Sequence, residues 1–419
     1  MNGFRLTVRL LVSLAVLALA ATTLAAPAAA PALPAASPQL AIEHTAVLSQ
    51  QIGPRPAGSP NDARGADYLA DQFRRLGYAV ERQRFSFRYF EEVRAPSLTV
   101  TAPAAGSIRA VTLEFSASTP DAGAEAEIVS VGLARPQDLT GKNLDGKIAL
   151  AERGQIQFRE KAANVAAAGG AAVIVYNTQG GPIAATLVEP SRIPAVIIGQ
   201  DDGQRLLDLS RAGPVRVRLV VSAIIEQRMT ENVIGIKRGT AASNEVVVVG
   251  GHRDSVRVSP GANDNASGTA AVLEAARLLA AVPTARTIHF IGFGAEEVGL
   301  VGSAFYVRNA TGTIVGMVNM DMVGRGPSIM AGNASGNPLM LDIADAAARR
   351  LGMTLRRFRF GSSDHVSFEQ AGVPAVFLHT GDDDAIHTPS DTLERVSGQL
   401  IATAAGLAAG IALDVASRR

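Results

Sequence analysis

The sequence contains five side chains of the kinds that bind divalent metal ions, with one spare carboxylate beside them. Two imidazoles and three carboxylates supply the nitrogen and oxygen donors that borderline divalent ions accept, enough for two such ions. A spare carboxylate next to such a site can accept the proton of a metal-activated water. The combination predicts metal-assisted hydrolysis. In chain order the six residues are His252, Asp264, Glu296, Glu297, Asp321 and His387.

Most of these residues follow predicted strands directly. Open parallel sheets form their sites outside the carboxyl ends of the strands, so residues far apart in sequence can converge in one crevice there. His387 lies in a loop beyond a further predicted strand at residues 375–378. The predicted strands and the residues that follow them are Val246–Val249 with His252, Thr287–Phe293 with Glu296 and Glu297, and Ile314–Met320 with Asp321.

Each motif by itself also has a purely structural interpretation. Asp254 lies two residues after His252, where it could orient the imidazole and fix its tautomer, or form an ordinary exposed pair. Asp264 precedes a predicted helix at residues 267–279, where it could bridge two metals with both oxygens or merely cap the helix. Glu296-Glu297 could be a solvated loop, but a nearby dication would turn their mutual repulsion into attraction. Taken together, the motifs favour a functional site.

Composition limits the class of protein. A chain of 419 residues favours two domains, and 47% hydrophobic residues are ample for a buried core. The formal net charge of +1 gives no basic field, so nucleic acid is not an expected partner. The absence of cysteine excludes disulfides, thiol catalysis and cysteine-ligated zinc.

The amino-terminal region has the pattern of an exported protein. Residues 1–25 resemble a secretory signal peptide, with Arg5 and Arg9 before the apolar stretch Leu10–Ala21. A membrane anchor is the alternative, but the apolar stretch is short for a span. Residues 26–39 are rich in Ala and Pro and predict a disordered spacer. We therefore expect a secreted or periplasmic protein without a stable membrane anchor.

The texture of the sequence predicts a mixed α/β fold with one insertion. Residues 40–95 and 226–419 alternate helical and strand patterns, which indicates a mainly parallel sheet sandwiched by helices. Residues 96–225 are β-rich with Gly/Pro turns and one predicted helix at residues 157–168, and we interpret them as an inserted domain. The apolar helix predicted at residues 397–417 is better explained by packing on the sheet than by crossing a membrane.

The motifs resemble those of the M28 di-zinc aminopeptidases over residues 40–95 and 226–419. The inserted domain resembles a protease-associated (PA) domain, on the segments at residues 144–150, 169–174 and 193–196. The peptidase motifs are H-x-D at 252–254, G-A-N-D-N-A-S-G at 261–268, E-E at 296–297, N-x-D-M at 319–322 and H-T-P-x-D-T at 387–392, with G-P-R-P-A-G-S at 53–59 and S-D-H-V-S-F at 363–368.

The resemblance implies a zinc-exopeptidase fold, peptide substrates and a role for each residue. Asp264 would bridge two zinc ions, and Glu296 would be the general base and then the acid that protonates the leaving amine. Asp254 would orient His252. The implied ligand sets are His252, Asp264 and Asp321 for one zinc, and Asp264, Glu297 and His387 for the other.

One residue departs from the pattern of the family. Many relatives carry Tyr immediately before the last His, as a hydrogen-bond donor to the tetrahedral intermediate, whereas this chain has Ile386. Alternatives to an aminopeptidase are a carboxypeptidase or dipeptidase on the same scaffold, a one-zinc cyclotransferase, and a non-catalytic receptor. The complete ligand set argues against the last two. Structural or solvent-exposed positions are expected for His289, His379, the Asp364-His365 pair and the run Asp382-Asp383-Asp384.

Overall fold

The computed structural model describes residues 33–418. The predicted signal peptide and the first part of the predicted spacer lie outside these residues. Helix α1 begins at Pro38, inside the predicted spacer, because the Ser37 hydroxyl caps it by accepting from the main-chain nitrogen of Leu40. A Pro at the first helical position fits this start, so an Ala/Pro-rich composition concealed a helix.

A mixed sheet forms the centre of the peptidase domain. Strands β9, β10, β11 and β14 are parallel to one another, whereas β8 pairs with β10 and β12 pairs with β14 in the antiparallel sense. The strand order across this part is β13-β12-β14-β11-β9-β10-β8. The strands are β8 (Arg216–Lys237), β9 (Glu245–His252), β10 (Thr287–Phe293), β11 (Thr313–Met320), β12 (Met330–Asn333), β13 (Arg356–Arg359) and β14 (Ala375–His379).

Helices cover both faces of this sheet. Their buried apolar residues join the strands in the largest core cluster, which includes Phe73, Val249 and Leu407. The helices of this domain are α1 (Pro38–Ala46), continued by a π-helical segment at Val47–Ile52, α2 (Pro60–Arg75), α6 (Gly268–Leu279), α7 (Val301–Asn309), α8 (Pro338–Arg350), α9 (His365–Gln370) and α10 (Gly398–Ala416).

The inserted domain is built on a long antiparallel ribbon. Strand β1 (Ala79–Ala102) pairs with β8 from Ala79↔Ile236 to Ala102↔Arg216, so both strands run continuously from the peptidase domain into the insertion. The predicted boundaries at residues 95/96 and 225/226 stay predictions, and they fall within this ribbon. The other elements are β2 (Gly106–Ile108), β3 (Ala110–Thr112), β4 (Ala124–Ser130), α3 (Pro136–Leu139), β5 (Ile148–Glu152), α4 (Phe158–Ala167), β6 (Ala172–Tyr176), β7 (Ala195–Ile198) and α5 (Gln200–Ala212).

By length and composition, helix α10 is apolar enough to cross a membrane. However, 67% of its most apolar 18-residue stretch is buried inside the fold. It packs against α1, α6 and α8 and against the sheet. At its first residue, Gly398, a Cβ would lie 2.4 Å from the main-chain oxygen of Pro38, so glycine is needed where α10 meets α1. Packing on the sheet, as the sequence predicted, accounts for its composition.

The sequence pattern located most strands and helices around the site within a few residues. It missed the strands β12 and β13, because both are short, and it missed helix α5, whose sequence is mostly polar. Residues 79–102 form one continuous strand, β1, which crosses the predicted domain boundary at residues 95/96. Pairing along the whole length of β8 stabilises the polar middle of β1, which no local pattern reveals.

Candidate metal centre

The carboxyl ends of the parallel strands bring the predicted ligands together. His252 is the last residue of β9, and it lies beside Phe293, the last residue of β10. Asp321 follows β11 directly, and Glu296 lies three residues beyond β10. The convergence expected from strand ends is therefore present in the structure.

Asp264 lies between the two imidazoles. Its Oδ1 atom is 3.2 Å from Nε2 of His252, and its Oδ2 atom is 3.1 Å from Nε2 of His387. The two oxygens of one carboxylate thus face two different ring nitrogens. This arrangement suits a carboxylate that bridges two cations.

Two further carboxylates lie beside the two imidazoles, one near His252 and one near His387. Asp321 Oδ1 lies 3.4 Å from His252 Nε2, and Glu297 Oε2 lies 3.0 Å from His387 Nε2. Oδ1 of Asp321 and Oε1 of Glu297 are buried and accept no hydrogen bond from the described residues. Buried carboxylate oxygens without a donor are costly, and a bound cation would offset that cost.

The spacing of the donors fits zinc. Tetrahedral zinc with ligands at about 2.0–2.2 Å places neighbouring ligand atoms about 3.3 Å apart. The four contacts between an imidazole nitrogen and a carboxylate oxygen fall between 3.0 and 3.4 Å. Two groups of three residues also offer ligand atoms within 4.8 Å of one another: His252, Asp264 and Glu297, and His252, Glu296 and Asp321.

Burial and crowding perturb the acids of this site. Burial raises the pKa of the Glu297 carboxyl to about 7, and the negative charge of Asp264 adds to this rise. Burial would raise the pKa of Asp264 as well, but hydrogen bonds from His252 and His387 lower it well below its ordinary value. Such perturbed groups in one cleft are typical of a functional site.

Asp254 contacts the site in a different way from the one expected. Nδ1 of His252 lies 3.1 Å from the main-chain oxygen of Asp254, while the Asp254 carboxylate is 3.8 Å from that nitrogen. The carboxylate instead accepts the main-chain N–H groups of Glu296 and Glu297, both at 3.2 Å. The main chain of Asp254 therefore orients His252, and its side chain holds the Glu296-Glu297 turn.

Glycines allow the segments that carry the ligands to pack closely. A Cβ on Gly268 would lie 2.2 Å from the main-chain oxygen of Met320, and one on Gly251 would lie 2.4 Å from the same atom. Asn265 strengthens this junction, since its amide donates to Met320 O at 3.0 Å and its Oδ1 accepts from the nitrogen of Gly268 at 2.8 Å. Only glycine lets β9, α6 and β11 approach this closely.

Several residues that support the site were not identified from the sequence. Ser363 donates to Asp321 Oδ2 at 2.8 Å and accepts from the amide of Asn319 at 2.7 Å. Asp391, in the H-T-P-x-D-T motif, is buried and accepts the main-chain N–H groups of Asn263 and Asp264. A buried polar residue next to a ligand motif is the signal that sequence reasoning could have used.

Two arginines lie fully buried under the site. Arg55 donates to five main-chain carbonyls, two of which belong to Pro260 and Gly261 in the loop before Asp264. Arg253 pairs with the carboxylate of Asp62 at 2.9 Å. These contacts explain the G-P-R-P-A-G-S segment as a brace for the ligand loop.

Of the residues expected in structural or solvent-exposed positions, two histidines agree with the expectation and one aspartate does not. His289 is half-buried, with Nδ1 2.8 Å from the Tyr306 hydroxyl, and is structural as predicted. His379 is also half-buried, with Nδ1 2.9 Å from the main-chain oxygen of Asp321. The expectation of a solvated Asp382-Asp383-Asp384 run is wrong for Asp383, which is buried and paired with Arg325.

Asp364 is fully buried with both carboxylate oxygens unpartnered among the described residues. Burial raises its pKa to about 7, and its charge in turn raises the pKa of Glu296. Asp364 therefore packs behind the metal ligands, in the structural position expected from the sequence. Ile386, whose side chain cannot donate a hydrogen bond, is 40% exposed beside His387.

Comparisons with known proteins agree with this geometry. The family model of peptidase family M28 matches residues 232–412, and the PA domain model matches residues 109–206. The aminopeptidase YwaD of Bacillus subtilis (strain 168) is 35% identical over 381 residues, which cover 86% of this chain and 81% of that relative. This chain belongs to peptidase family M28.

Two solved aminopeptidase structures resemble the whole fold. The aminopeptidase from Aneurinibacillus sp. strain AM-1 superposes with a TM-score of 0.79 at 33% identity, covering 91% of this chain and 94% of that chain. BSAP, a zinc aminopeptidase from Bacillus subtilis, superposes with a TM-score of 0.71 at 32% identity, covering 93% and 97%. The predictions of fold class, of an M28 member with an inserted PA domain and of a zinc-dependent aminopeptidase are confirmed.

Proposed function

We propose that this M28 enzyme binds two zinc ions and removes N-terminal residues from peptides, with Glu296 as the general base. The observation that carries the proposal is the position of Asp264, whose two oxygens face His252 and His387 at 3.2 and 3.1 Å. A carboxylate in this place suits two neighbouring cations better than one.

The donors divide between two ions. Zinc, when bound at these residues, polarises the scissile carbonyl and lowers the pKa of water. One ion would be held by His252, Asp264 and Asp321, and the other by Asp264, Glu297 and His387. This division follows the contacts of the two imidazoles, since Asp321 is near His252 and Glu297 is near His387.

The surroundings of Glu296 support the proposed role in proton transfer. Its Oε2 atom lies 3.9 Å from Nε2 of His252, at the edge of the ligand cluster. Burial raises its pKa well above the ordinary carboxyl value, and the charges of Asp364 and Asp321 add to the rise. A carboxylate with a raised pKa is a good acceptor for the proton of the attacking water. The resulting carboxylic acid then protonates the leaving amine.

The charges around the site favour a substrate amine over a substrate carboxylate. A carboxypeptidase needs an open cationic group beside the metals. The guanidinium groups of Arg55 and Arg253 are engaged by main-chain carbonyls and by Asp62. Those of Arg325 and Arg395 are engaged by acidic side chains of the loop before His387. The surplus of carboxylates suits the positive N-terminus of a peptide, so aminopeptidase activity is the better assignment.

The second candidate is a binding protein without catalysis, on the same scaffold. A protein that only binds would need neither the proton acceptor Glu296 nor a complete set of metal ligands. This chain has the complete ligand set, and it has Glu296 beside that set. The complete set therefore favours an enzyme.

Export remains part of the proposal. The pattern at residues 1–25 fits a protein that is secreted or periplasmic. Mass spectrometry of the mature protein from culture supernatant or periplasm tests this. An intact Met1 in a cell-retained protein would contradict it.

One assay set tests the function. Metal analysis of the purified protein should give two zinc ions per chain. A peptide with free termini and its C-amidated form should both lose their N-terminal residue, and the N-acetylated form should resist. Removal of zinc by a chelator should abolish hydrolysis, and added zinc should restore it. Cleavage of the N-acetylated peptide with resistance of the amidated one would identify a carboxypeptidase, and an inert zinc-loaded protein would identify a binding protein.

A further inference from the structure

The loop that carries His387 is the least supported part of the metal centre. The side chain of His387 is 50% exposed, whereas that of His252 is 1% exposed. His387 also has φ of +57°, a left-handed conformation that a non-glycine residue adopts at some cost. Loop contacts must therefore keep this imidazole in place.

Asp383 forms such contacts on both sides of the site. Its Oδ1 atom accepts the main-chain N–H of Ala385, two residues before His387, at 2.9 Å. Its Oδ2 atom accepts the side-chain amide of Asn263 at 2.9 Å. Asn263 precedes Asp264 in the chain, so one buried carboxylate links the two loops that carry these metal ligands.

Asp391 supplies a second link between the same loops. Its carboxylate accepts the main-chain N–H groups of Asn263 at 2.7 Å and of Asp264 at 3.0 Å. Its main-chain oxygen accepts from Ala262 at 3.3 Å. Because Asp391 lies four residues after His387, the His387 loop is joined to the Asp264 loop on both sides of the ligand.

The charge of Asp383 is balanced inside the fold. Its side chain is only 1% exposed, and it pairs with Arg325 and, at 3.7 Å, with Arg395. The next residue, Asp384, pairs with the same two arginines but is 78% exposed. The described contacts of Asp384 do not include Asn263 or Ala385, so the two aspartates share their arginine partners but differ in burial and in the loop link.

We propose that Asp383, together with Asp391, is a positioning residue that sets the distance between Asp264 and His387 and so retains the zinc those two ligands share. The inference rests on the proposed two-zinc function. Asp383 touches neither metal nor substrate, and it acts by holding two loops at one spacing. Outer contacts of this kind change metal affinity by about 10- to 100-fold when removed.

The matched pair Asp383→Asn and Asp384→Asn separates positioning from charge. Each variant weakens pairing with Arg325 and Arg395, but only Asp383→Asn replaces an oxygen that accepts from Asn263 or Ala385. Metal-free protein would be titrated with zinc against a competing chelator, and with cobalt while its visible spectrum is recorded. Thermal unfolding of the metal-free forms reports the fold.

We expect Asp383→Asn to weaken one of the two zinc sites about 10- to 100-fold and to change the cobalt spectrum of that site. The other site and the metal-free unfolding temperature should stay close to wild type, and excess zinc should restore hydrolysis. Asp384→Asn should match wild type throughout. Equal zinc affinities in wild type and Asp383→Asn, or equal losses in both variants, would overturn the inference.

Two further controls keep the test decisive. If Asp383→Asn does not fold, Asp391→Asn replaces one of the two carboxylate oxygens of the second link and should weaken the same site. Unchanged zinc affinity in Asp391→Asn would then overturn the inference. Wild type that binds a single zinc at saturation would instead refute the two-zinc function on which the inference rests, and that result is visible without any variant.

Discussion

His252 Nδ1 lies 3.1 Å from the main-chain oxygen of Asp254, and the carboxylate of Asp254 accepts from the turn that carries the proton acceptor. A carbonyl oxygen can only accept, so the neutral form of this imidazole carries its proton on Nδ1 and leaves Nε2 to bind a metal. The main chain alone fixes this tautomer. The carboxylate is left to position Glu296.

The first prediction concerns Asp254→Asn. Each oxygen of the Asp254 carboxylate accepts one main-chain N–H, from Glu296 or from Glu297. The asparagine side chain has only one oxygen, so one of these hydrogen bonds is lost and the Glu296-Glu297 turn should loosen. We expect kcat to fall about 10- to 100-fold with bound zinc retained, because the main-chain contact to His252 remains. Steady-state kinetics with metal analysis on the same samples measures this. Loss of zinc with an unchanged kcat per bound ion would assign Asp254 to ligand orientation instead.

The second prediction concerns Glu296→Gln. The amide has nearly the shape of the carboxylate but cannot accept the proton of the attacking water. The rate should therefore fall by about 100- to 10,000-fold or more, while the zinc content stays at the wild-type value. Single-turnover assays beside metal analysis give both quantities. Wild-type turnover in this variant would rule out Glu296 as the base.

The third prediction concerns protons released when metal binds. In the metal-free protein, hydrogen bonds to Asp264 and Glu297 raise the pKa of His387 to about 10, so its imidazole is protonated at neutral pH. An imidazole must lose this extra proton before its nitrogen can bind a metal, so zinc binding displaces protons. Zinc affinity should therefore fall as pH falls, by about tenfold per pH unit for each proton displaced. Calorimetry at pH 7 in two buffers of different ionisation enthalpy counts the protons, and a count of zero would contradict this.

The fourth prediction concerns acid stability and His289. Burial lowers the pKa of this histidine to about 4, and its Nδ1 lies within hydrogen-bond distance, 2.8 Å, of the Tyr306 hydroxyl. The unfolded chain binds its proton near pH 6.5, so the native state loses stability as pH falls from 6.5 to 4. The loss is about 3 kcal/mol, and it is complete below pH 4.

His289→Gln tests that assignment. Glutamine can still accept from Tyr306 but does not titrate, so the variant should lack this part of the acid destabilisation. Urea unfolding of the metal-free wild type and variant at pH 7 and pH 4 measures the difference, and the ligand histidines contribute equally to both proteins. Identical pH dependence in the two proteins would show that His289 takes no part.

The strand-end positions could be predicted because they depend on local patterns. A buried strand such as Val246–Val249 is visible as an apolar run, and a polar residue directly after it, such as His252, is placed at the carboxyl edge of the sheet. Asp383 could not be assigned in the same way. Three successive aspartates indicate a solvated loop, and only the packing of Arg325, Asn263 and Ala385 around the middle one buries it.

The sequence by itself determined the donor set, the spare carboxylate and the sheet edge where they meet. The tertiary structure decided which oxygen of Asp264 faces which imidazole, and it gave the Asp254 carboxylate to the Glu296 turn instead of to His252. These assignments depend on hydrogen bonds between loops up to 128 residues apart, such as that from Asn263 to Asp391. Residue type and strand order follow from neighbours along the chain, whereas the partner of a given oxygen atom is set by the packing of distant loops.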